Sequence, residues 1–250
     1  MPTFVVGDVH GHVDRLVDVL RSAGLVDRQA VWSGADARLW FIGDLVDRGP
    51  DGIGAIDLVM RLQQEGDVHC LLGNHEAGLL AARRYWAVGC SVPGVTLGMV
   101  WQANGGVASD LARLRPEQLS WIEGLPAVAS EGSRLLVHSD TDGYLRYGSD
   151  VVTINRAVSA CLAGDDPAAL DALLVTLADR GAFTDAGRLG RFLASLGVES
   201  VVHGHTPIWY AQGSAPSEVT EALVYADGRA LNIDHCLFAG GPGFITELAP

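Results

Sequence analysis

The sequence predicts an α/β fold, and three observations support this prediction. Short apolar runs in the N-terminal third each end at a turn that contains glycine. Apolar residues then recur at helical spacing after each turn, as they do in strand–loop–helix units. Aspartate, histidine and asparagine residues stand at the ends of the same runs. Because ligand sites of α/β sheets lie at the carboxyl ends of the strands, the pattern predicts a functional site at that edge.

Three strand–loop–helix units make up the first part of the chain. Their predicted strands are residues 3–6, 39–42 and 68–72. The apolar residues Val13, Leu16 and Leu20 mark the first helix, which is predicted to end at Gly24. The second helix is predicted to end near Gly66, and the third follows the third strand in the same way.

The rest of the chain is predicted to complete a single domain over residues 1–250. Residues from about 90 to 132 do not continue the strand–loop–helix pattern. They are interpreted as a helical insertion over the site, with a helix start near Pro116. A strand is predicted at 135–137, and residues 151–196 are predicted to be largely helical. The next predicted strand and three C-terminal hairpin strands are residues 198–202, 223–226, 230–233 and 244–248.

Composition and charge exclude several classes of partner. The 250 residues are 48% hydrophobic and 19% charged, which is ordinary for a globular protein. The formal net charge of −13 argues against nucleic acid and anionic membranes, which bind clustered Lys and Arg. No signal-peptide pattern is visible, and no stretch reaches the roughly 20 apolar residues of a membrane helix. Because the four scattered cysteines are expected to be reduced thiols, we expect a cytoplasmic protein.

Five short motifs place metal-ligating residue types at strand ends. They are residues 7–11 (GDVHG), 43–49 (GDLVDRG), 73–76 (GNHE), 137–139 (VHS) and 204–207 (GHTP). A mixture of carboxylate, imidazole and amide ligands suits Mn²⁺, Fe or Zn²⁺ better than Ca²⁺. A carboxylate can bridge two ions, and Asp44 is assigned that role. The other predicted ligands are Asp8 and His10 for the first ion, and Asn74, His138 and His205 for the second.

The same motifs predict how a phosphate ester would be hydrolysed. Two divalent ions can lower the pKa of a bridging water, so that the expected nucleophile is metal-bound hydroxide and not a side chain. Departure of the leaving group still requires a proton, which His75 is placed to supply. Asp47 is expected to orient His75. The planar guanidinium of Arg48 can bind phosphate oxygens.

These motifs resemble those of the calcineurin-like metallophosphoesterases, in particular their phosphoprotein-phosphatase branch with its bacterial and phage serine/threonine phosphatases. That branch carries GDxHG, GDxVDRG and GNHE motifs, an apolar strand that ends in His, and a late His. Residues 101–106 (WQANGG) also resemble the tryptophan and NGG stretch that follows GNHE there. The resemblance covers residues 4–248. It implies two packed mixed β-sheets flanked by helices, in a four-layer sandwich, and a dinuclear centre for which Mn²⁺ is the expected metal.

The sequence departs from the family pattern in three places. The family usually has a second phosphate-binding arginine between the two late histidines, and the candidates here are Arg156, which we favour, and Arg180. His138 is followed by Ser139 and Asp140, where the family usually has a small residue and glycine. The GHTP motif also offers no second histidine to the first metal.

Two other histidines receive no catalytic role from the sequence. His203 lies two residues before His205 and is interpreted as a core or supporting residue, not as a ligand. His235 follows Asp234 near the C-terminus, and the pattern assigns a role to neither of them.

The sequence therefore predicts an enzyme, a dinuclear-metal phosphatase. Its expected substrates are phosphoserine and phosphothreonine in proteins, together with small phosphate esters. The alternative enzyme is a symmetrical diadenosine tetraphosphate hydrolase, whose relatives share the GDVHG and GNH motifs. A binding protein on an inactive phosphatase scaffold is a third hypothesis, but such a protein would be expected to lack a ligand or His75.

Overall fold

The computed structural model describes residues 1–249. The strands are β1 (Thr3–Val6), β2 (Arg38–Phe41), β3 (Asp67–Cys70), β4 (Val128–Glu131), β5 (Arg134–Val137), β6 (Ser200–His203), β7 (Leu223–Tyr225), β8 (Ala230–Asn232) and β9 (Thr246–Leu248). The helices are α1 (Val13–Ser22), α2 (Gly52–Glu65), α3 (Asn74–Tyr85), α4 (Leu97–Ala103), α5 (Ala108–Arg113), α6 (Pro116–Glu123), α7 (Val151–Ala163), α8 (Pro167–Leu177), α9 (Ala186–Leu196) and α10 (Ile208–Gln212).

The first sheet contains the three predicted strand–loop–helix units. Its strand order is β3-β2-β1-β9, with β1, β2 and β3 parallel to one another. Strand β9 runs antiparallel to β1, with Val5 opposite Thr246. The prediction that residues 244–248 form a hairpin with the preceding strands is therefore wrong. This strand returns to the first sheet, where Leu248 is buried in the core.

The second sheet has the strand order β4-β5-β6-β8-β7. Strands β5, β6 and β8 are parallel, whereas β4 and β7 are antiparallel edge strands. The helical insertion was expected to extend to residue 132, but residues 128–131 form β4. Val128 and Ala129 are buried where they pair with β5, but Ser130 and Glu131 are polar, so the sequence shows neither an apolar run nor alternation here.

The two sheets pack face to face, and helices cover their outer faces. Val5, Trp40 and Ile42 from the first sheet form one buried cluster with Leu136 and Val202 from the second. Helix α2 packs against β3 and α1, whereas α7 packs against β4 and α8. Two mixed sheets flanked by helices are the fold that the sequence predicts, and this prediction is confirmed.

The segment between α3 and β4 contains the helices α4, α5 and α6. Helices α4, α5 and α6 each pack against α3, whose N-terminus carries the GNHE motif. The assignment of one domain to residues 1–250 stays a prediction. Within residues 1–249, no helix is both long and apolar enough to cross a membrane.

Candidate active site

The six predicted metal ligands lie together and are buried. They follow β1, β2 and β3 in the first sheet and β5 and β6 in the second, so that the carboxyl ends of strands in both sheets supply them. The most exposed of the six has only 9% of its surface accessible. The set consists of Asp8, His10, Asp44, Asn74, His138 and His205.

The loops that carry the site have unusual backbone geometry. Five residues assigned to the site have a left-handed backbone, with φ between 45° and 64°: His10, Asp44, Asp47, Arg48 and His205. This conformation costs a non-glycine residue about 1–3 kcal/mol and concentrates at functional sites. Close packing also requires glycine at position 204, where a Cβ would lie 2.3 Å from Oδ1 of Asp8.

Asp44 lies at the centre of the cluster. The ligand atoms of His10, Asp44 and His75 lie within 4.8 Å of one another, and so do those of Asp44, His138 and His205. Asp44 is common to both groups. Its backbone carbonyl also accepts hydrogen bonds of 2.9 Å from the N–H groups of Val9 and His10, which ties the first two motifs together.

The donor set around His138 fits a cation. His138 donates from Nδ1 to the carbonyl oxygen of Ile42 at 2.8 Å, so that Nε2 is the nitrogen that presents a lone pair when the ring is neutral. Nε2 lies 3.0 Å from Oδ1 of Asn74 and 3.2 Å from Oδ1 of Asp44. Three electron-pair donors therefore converge, as ligands of a divalent metal do.

His205 is also held with one ring nitrogen free, and His10 is held with Nε2 facing Asp8, Asp44 and Arg48. His10 donates from Nδ1 to the carbonyl oxygen of Val46 at 2.9 Å, and His205 donates from Nε2 to that of Ala178 at 3.1 Å. Burial lowers the pKa of both imidazoles well below the ordinary value, which keeps them neutral and able to bind a metal. Nε2 of His10 lies 4.0 Å from Oδ2 of Asp8 and 3.7 Å from Oδ2 of Asp44.

The charges of the cluster also favour cations. Burial raises the pKa of Asp8 well above its ordinary value, and the charges of Asp234 and Asp44 raise it further. Burial alone would raise the pKa of Asp44, but His138 and His75 hold it well below the ordinary value. Against the effect of burial, the charge of Asp44 raises the pKa of His138 to about 9. Divalent ions would compensate the repulsion between the buried carboxylates.

His75 is supported on one side and unpaired on the other. Its Nδ1 donates to Oδ2 of Asp47 at 2.9 Å, and both residues are buried. Nε1 of Trp101 donates to both carboxylate oxygens of Asp47 at 3.0 Å. Nε2 of His75 is buried without a hydrogen-bond partner, 3.8 Å from Oδ2 of Asp44. Asp47 therefore orients the ring so that Nε2 faces the cluster.

Glu76 has a structural role that the sequence did not reveal. Its carboxylate accepts hydrogen bonds of 2.7–3.2 Å from the backbone N–H groups of Asp44, Leu45, Val46 and Gly73. Burial, followed by the charge of Asp44, raises its pKa to about 7. The sequence signal was a glutamate at the third position of a helix, which is a known capping position. Here the carboxylate joins the GDLVDRG and GNHE motifs through hydrogen bonds to their backbone N–H groups.

Arg48 lies on the solvent-exposed side of the cluster. Its Nη1 donates to Nε2 of His10 at 3.1 Å, and its Cζ lies 4.7 Å from the centre of the Phe238 ring. Its backbone N–H donates to the carbonyl oxygen of Gly105 at 2.9 Å, which links it to the segment after α4. A guanidinium in this position can bind phosphate oxygens next to the cluster.

The structure separates the two candidates for a second phosphate-binding arginine. Arg156 is on the solvent-exposed side of α7, where its charge acts on Asp150 at the start of that helix. Arg180 follows α8, and its charge acts on His205. The structure therefore brings Arg180, and not the favoured Arg156, towards the metal-ligating residues.

Asp140, one of the departures from the family pattern, supports the late motif. Its Oδ1 accepts a hydrogen bond of 2.6 Å from Thr206, and its Oδ2 accepts one of 2.7 Å from the backbone N–H of Gly181. Both Thr206 and Gly181 directly follow a residue discussed above, His205 and Arg180 respectively. Asp140 thus joins the two segments.

The structure also places the histidines without an assigned role. His203 is buried, and its Nε2 lies 2.8 Å from the hydroxyl of Tyr225. His235 is buried with no partner at either ring nitrogen, and burial lowers its pKa to about 3. Asp234 was not assigned either, but it lies close enough to the cluster for its charge to raise the pKa of Asp8.

The chain belongs to the calcineurin-like phosphoesterase family, whose pattern it matches over residues 1–228. The fold and the shared-carboxylate cluster agree with that membership. The sequence-based predictions of this family and of a metal-dependent phosphoesterase are therefore confirmed.

Curated relatives are named symmetrical bis(5'-nucleosyl)-tetraphosphatases. One from Janthinobacterium sp. (strain Marseille) is 31% identical over 169 residues, which cover 66% of this chain and 53% of the relative. One from Escherichia coli O139:H28 is 40% identical over 82 residues, which cover 32% of this chain and 26% of the relative. The matched regions thus span about half of these relatives or less.

Similar solved structures cover almost the whole chain. The protein-tyrosine phosphatase of a psychrophilic Shewanella species has a TM-score of 0.73 at 20% identity, covering 98% of this chain and 74% of that one. A protein serine/threonine phosphatase from Saccharomyces cerevisiae has a TM-score of 0.59 at 14% identity, covering 94% and 67%. A putative diadenosine tetraphosphatase has a TM-score of 0.56 at 16% identity, covering 98% and 93%. These similarities concern the fold.

Replacing Arg48 with alanine tests its predicted role in phosphate binding. We expect kcat/KM for a phosphate ester to fall about 10- to 100-fold, because charge-assisted hydrogen bonds each contribute about 1.5–3 kcal/mol. Metal content should stay unchanged, since a guanidinium does not coordinate metal ions. Steady-state kinetics and metal analysis of Arg48→Ala, with the surface variant Arg21→Ala as control, measure both. Unchanged kinetics would show that Arg48 is only a structural contact of His10.

Proposed function

We propose that this protein is a metal-dependent phosphomonoesterase that acts on phosphorylated side chains of proteins and on small phosphate esters. Phosphoserine and phosphothreonine are the substrates expected from the sequence. Asp8, His10 and Asp44 would hold one divalent ion, and Asp44, Asn74, His138 and His205 would hold a second. When bound, such ions lower the pKa of a water molecule and neutralise the charge of the phosphoryl group.

The unpaired Nε2 of His75 is the observation that carries this proposal. Asp47 accepts the bond from Nδ1, so a proton on the ring can leave only from Nε2, which faces the cluster. A buried general acid is valuable when the leaving group is an alkoxide, which is strongly basic. A nucleoside diphosphate leaves more easily without a proton. The geometry around His75 therefore suits monoesters of alcohols, and Asp47 and Trp101, which fix the ring, lie in stretches that resemble the phosphatase branch.

A comparison of substrates tests the proposal. The chelated protein, reloaded with Mn²⁺, should release inorganic phosphate from a phosphoserine or phosphothreonine peptide and from p-nitrophenyl phosphate. The kcat/KM for release of ADP from diadenosine tetraphosphate should be lower than the kcat/KM for these monoesters. Faster ADP release would favour the second candidate, and no release from any of these esters would contradict the proposal.

The second candidate function is a symmetrical dinucleoside tetraphosphatase. The names of the curated relatives favour it, and one of these relatives is 31% identical over 169 residues. The regions matched cover only part of those proteins, so the likeness supports this activity less directly than the site supports a phosphomonoesterase.

Mn²⁺ and a cytoplasmic location belong to the same proposal. Carboxylate, imidazole and amide ligands form a mixed set that suits Mn²⁺ and also Fe or Zn²⁺. All four cysteines are free, which fits a reducing compartment.

We propose Arg180, instead of Arg156, as the second phosphate-binding arginine. We expect Arg180→Ala to lower kcat/KM about 10-fold, because it removes a cation near His205 that can contact a bound phosphate. Arg156→Ala is a matched control, since it removes an exposed arginine from α7. Kinetics of both variants on p-nitrophenyl phosphate measure the difference. A larger loss in Arg156→Ala would restore the original assignment.

A further inference from the structure

Asp234 lies at the edge of the second sheet that carries two of the proposed metal ligands. Strands β5, β6 and β8 are parallel, so their carboxyl ends lie at the same edge. His138 directly follows β5, and His205 follows the end of β6 by two residues. Asn232, the last residue of β8, is paired with His203, the last residue of β6. Asp234 therefore stands as far beyond β8 as His205 stands beyond β6.

Backbone packing brings Asp234 next to Asp8, a proposed ligand of the first ion. Position 7, directly before Asp8, requires glycine, because a Cβ there would lie 3.2 Å from Cα of Asp234 and would overlap the carbonyl oxygen of Ile233. Both carboxylate oxygens of Asp8 also accept hydrogen bonds from the backbone N–H of His205, at 3.1 and 3.2 Å. Asp8, His205 and Asp234 therefore meet where β1, β6 and β8 end.

The carboxylate of Asp234 has one oxygen that the protein leaves unused. Its Oδ1 accepts a hydrogen bond of 3.0 Å from the backbone N–H of Cys236. Its Oδ2 is buried and has no hydrogen-bond partner among residues 1–249. Asn232 fixes the residue in place, because its side chain accepts from the N–H of Asp234 at 2.9 Å and donates to the carbonyl oxygen of Thr206 at 2.7 Å. A buried carboxylate oxygen without a donor is costly unless a cation pairs with it.

The surrounding charges agree with a cation at this place. After burial, the charge of Asp234 is the largest cause that raises the pKa of Asp8, ahead of the charge of Asp44. Burial, together with the charge of Asp44, raises the pKa of Asp234 itself to about 6. Three carboxylates therefore repel one another in the interior, and a divalent ion between them would remove this repulsion.

We propose that Asp234 is a further ligand of the first divalent ion, which it binds through Oδ2. This inference rests on the proposed dinuclear centre, in which the first ion has only Asp8, His10 and Asp44 and the GHTP motif supplies no second histidine. Asp234 takes the place of that missing ligand. Three carboxylates against the four positive charges of two divalent ions leave the centre positive, so it still favours an anionic ester.

The variant Asp234→Asn tests this role because it removes the charge but keeps an acceptor for the N–H of Cys236. In a calorimetric titration of the chelated protein with Mn²⁺, we expect one of the two ions to bind at least about 10- to 100-fold more weakly, the loss typical of residues that support a metal ligand. Asp110→Asn is the matched control. Asp110 is also buried, with Oδ2 bonded to the N–H of Gly52 at 3.2 Å and Oδ1 unpartnered, but it lies in α5. Both ions should bind to Asp110→Asn as to the wild type.

Double variants identify the ion that Asp234 binds. Asp8→Asn with Asp234→Asn should keep one tightly bound Mn²⁺, because both changes affect the first ion. Asn74→Ala with Asp234→Asn should keep none, because the two changes affect different ions. The opposite result would place Asp234 at the second ion and overturn the assignment.

A spectroscopic measurement separates a ligand from a residue that only supports the fold. Asp234→Cys places a thiolate, a soft ligand, where the carboxylate stood. On addition of Cd²⁺, we expect an ultraviolet absorption band of a Cd–thiolate bond that the wild type, with its four free cysteines, does not show. Asp110→Cys should behave like the wild type. Absence of the band in Asp234→Cys would contradict direct binding of the ion at this position.

Failure of this inference and failure of the proposed function give different results. If the wild type hydrolyses phosphate monoesters and Asp234→Asn binds both ions as tightly as the wild type, the assignment of Asp234 is wrong and the function stands. If the wild type binds two ions but hydrolyses no monoester, the function is wrong, and the titrations alone decide the role of Asp234. If the wild type binds no Mn²⁺, both are wrong.

Discussion

Replacing Asp44 with asparagine is expected to remove both metal ions and to lower kcat by about 10³-fold or more. Asp44 is the residue common to the two groups of ligand atoms, so the loss of its charge weakens both sites together. A decrease of about 10³ corresponds to about 4 kcal/mol, within the several kcal/mol that metal ions contribute to stabilising a transition state. Metal analysis and kinetics on p-nitrophenyl phosphate measure the two effects.

Two other variants define what this result means. Asp8→Asn should weaken mainly the first ion, because Asp8 is assigned to that ion together with His10, whose Nε2 lies 4.0 Å from its Oδ2. Asp18→Asn, an exposed carboxylate paired with Arg21 on α1, should change nothing. Addition of Mn²⁺ should raise the Tm of wild type and Asp18→Asn, but not of Asp44→Asn. Retention of two ions by Asp44→Asn would contradict the bridging role.

Replacing His75 with asparagine should keep both ions and lower turnover of an alkyl phosphate by about 10²- to 10⁴-fold, the usual range for a positioned general acid. The reason is that Nε2 of His75 is buried without a hydrogen-bond partner, 3.8 Å from Oδ2 of Asp44, with Asp47 and Trp101 fixing the ring from the other side. The loss should be smaller for p-nitrophenyl phosphate, because its leaving group is stable without a proton. Steady-state kinetics on both substrates measure this difference.

Asp47→Asn provides the matched control for His75. It keeps a hydrogen-bond partner for Nδ1 but removes the negative charge beside the ring, so it should show the same dependence on the leaving group with a smaller loss. An equal loss on both substrates in His75→Asn would show that His75 organises the site. Loss of a metal ion would show that His75 is a ligand, as its position next to His10 and Asp44 permits.

The sequence was sufficient to predict which ligand types meet and where. Asp8, Asp44 and Asn74 each follow a parallel strand, and parallel strands end at one edge of a sheet, so their convergence follows from the strand pattern alone. His138 and His205 come from the second sheet. Their approach to the first sheet was implied by the family resemblance and not by the local pattern.

The supporting contacts could not be predicted in the same way. Glu76 and Trp101 act across loops and helices that are distant in the chain, and their partners depend on how α3 and α4 pack. The choice between Arg156 and Arg180 depends on which side of α7 is exposed and on the path of the segment after α8. Strand β9 has only three residues. It pairs with β1, where Leu248 is buried, and the local sequence does not indicate which strand is its partner. Tertiary packing decides each of these cases.

A metal titration of the chelated protein tests the central claim, that two ions held around Asp44 are required for hydrolysis, most directly. Metal bound per chain and phosphate release from p-nitrophenyl phosphate are measured on the same samples as Mn²⁺ is added. We predict no activity without metal and a maximum at two ions per chain. Full activity in the metal-free protein, or a maximum at one ion per chain, would contradict the account.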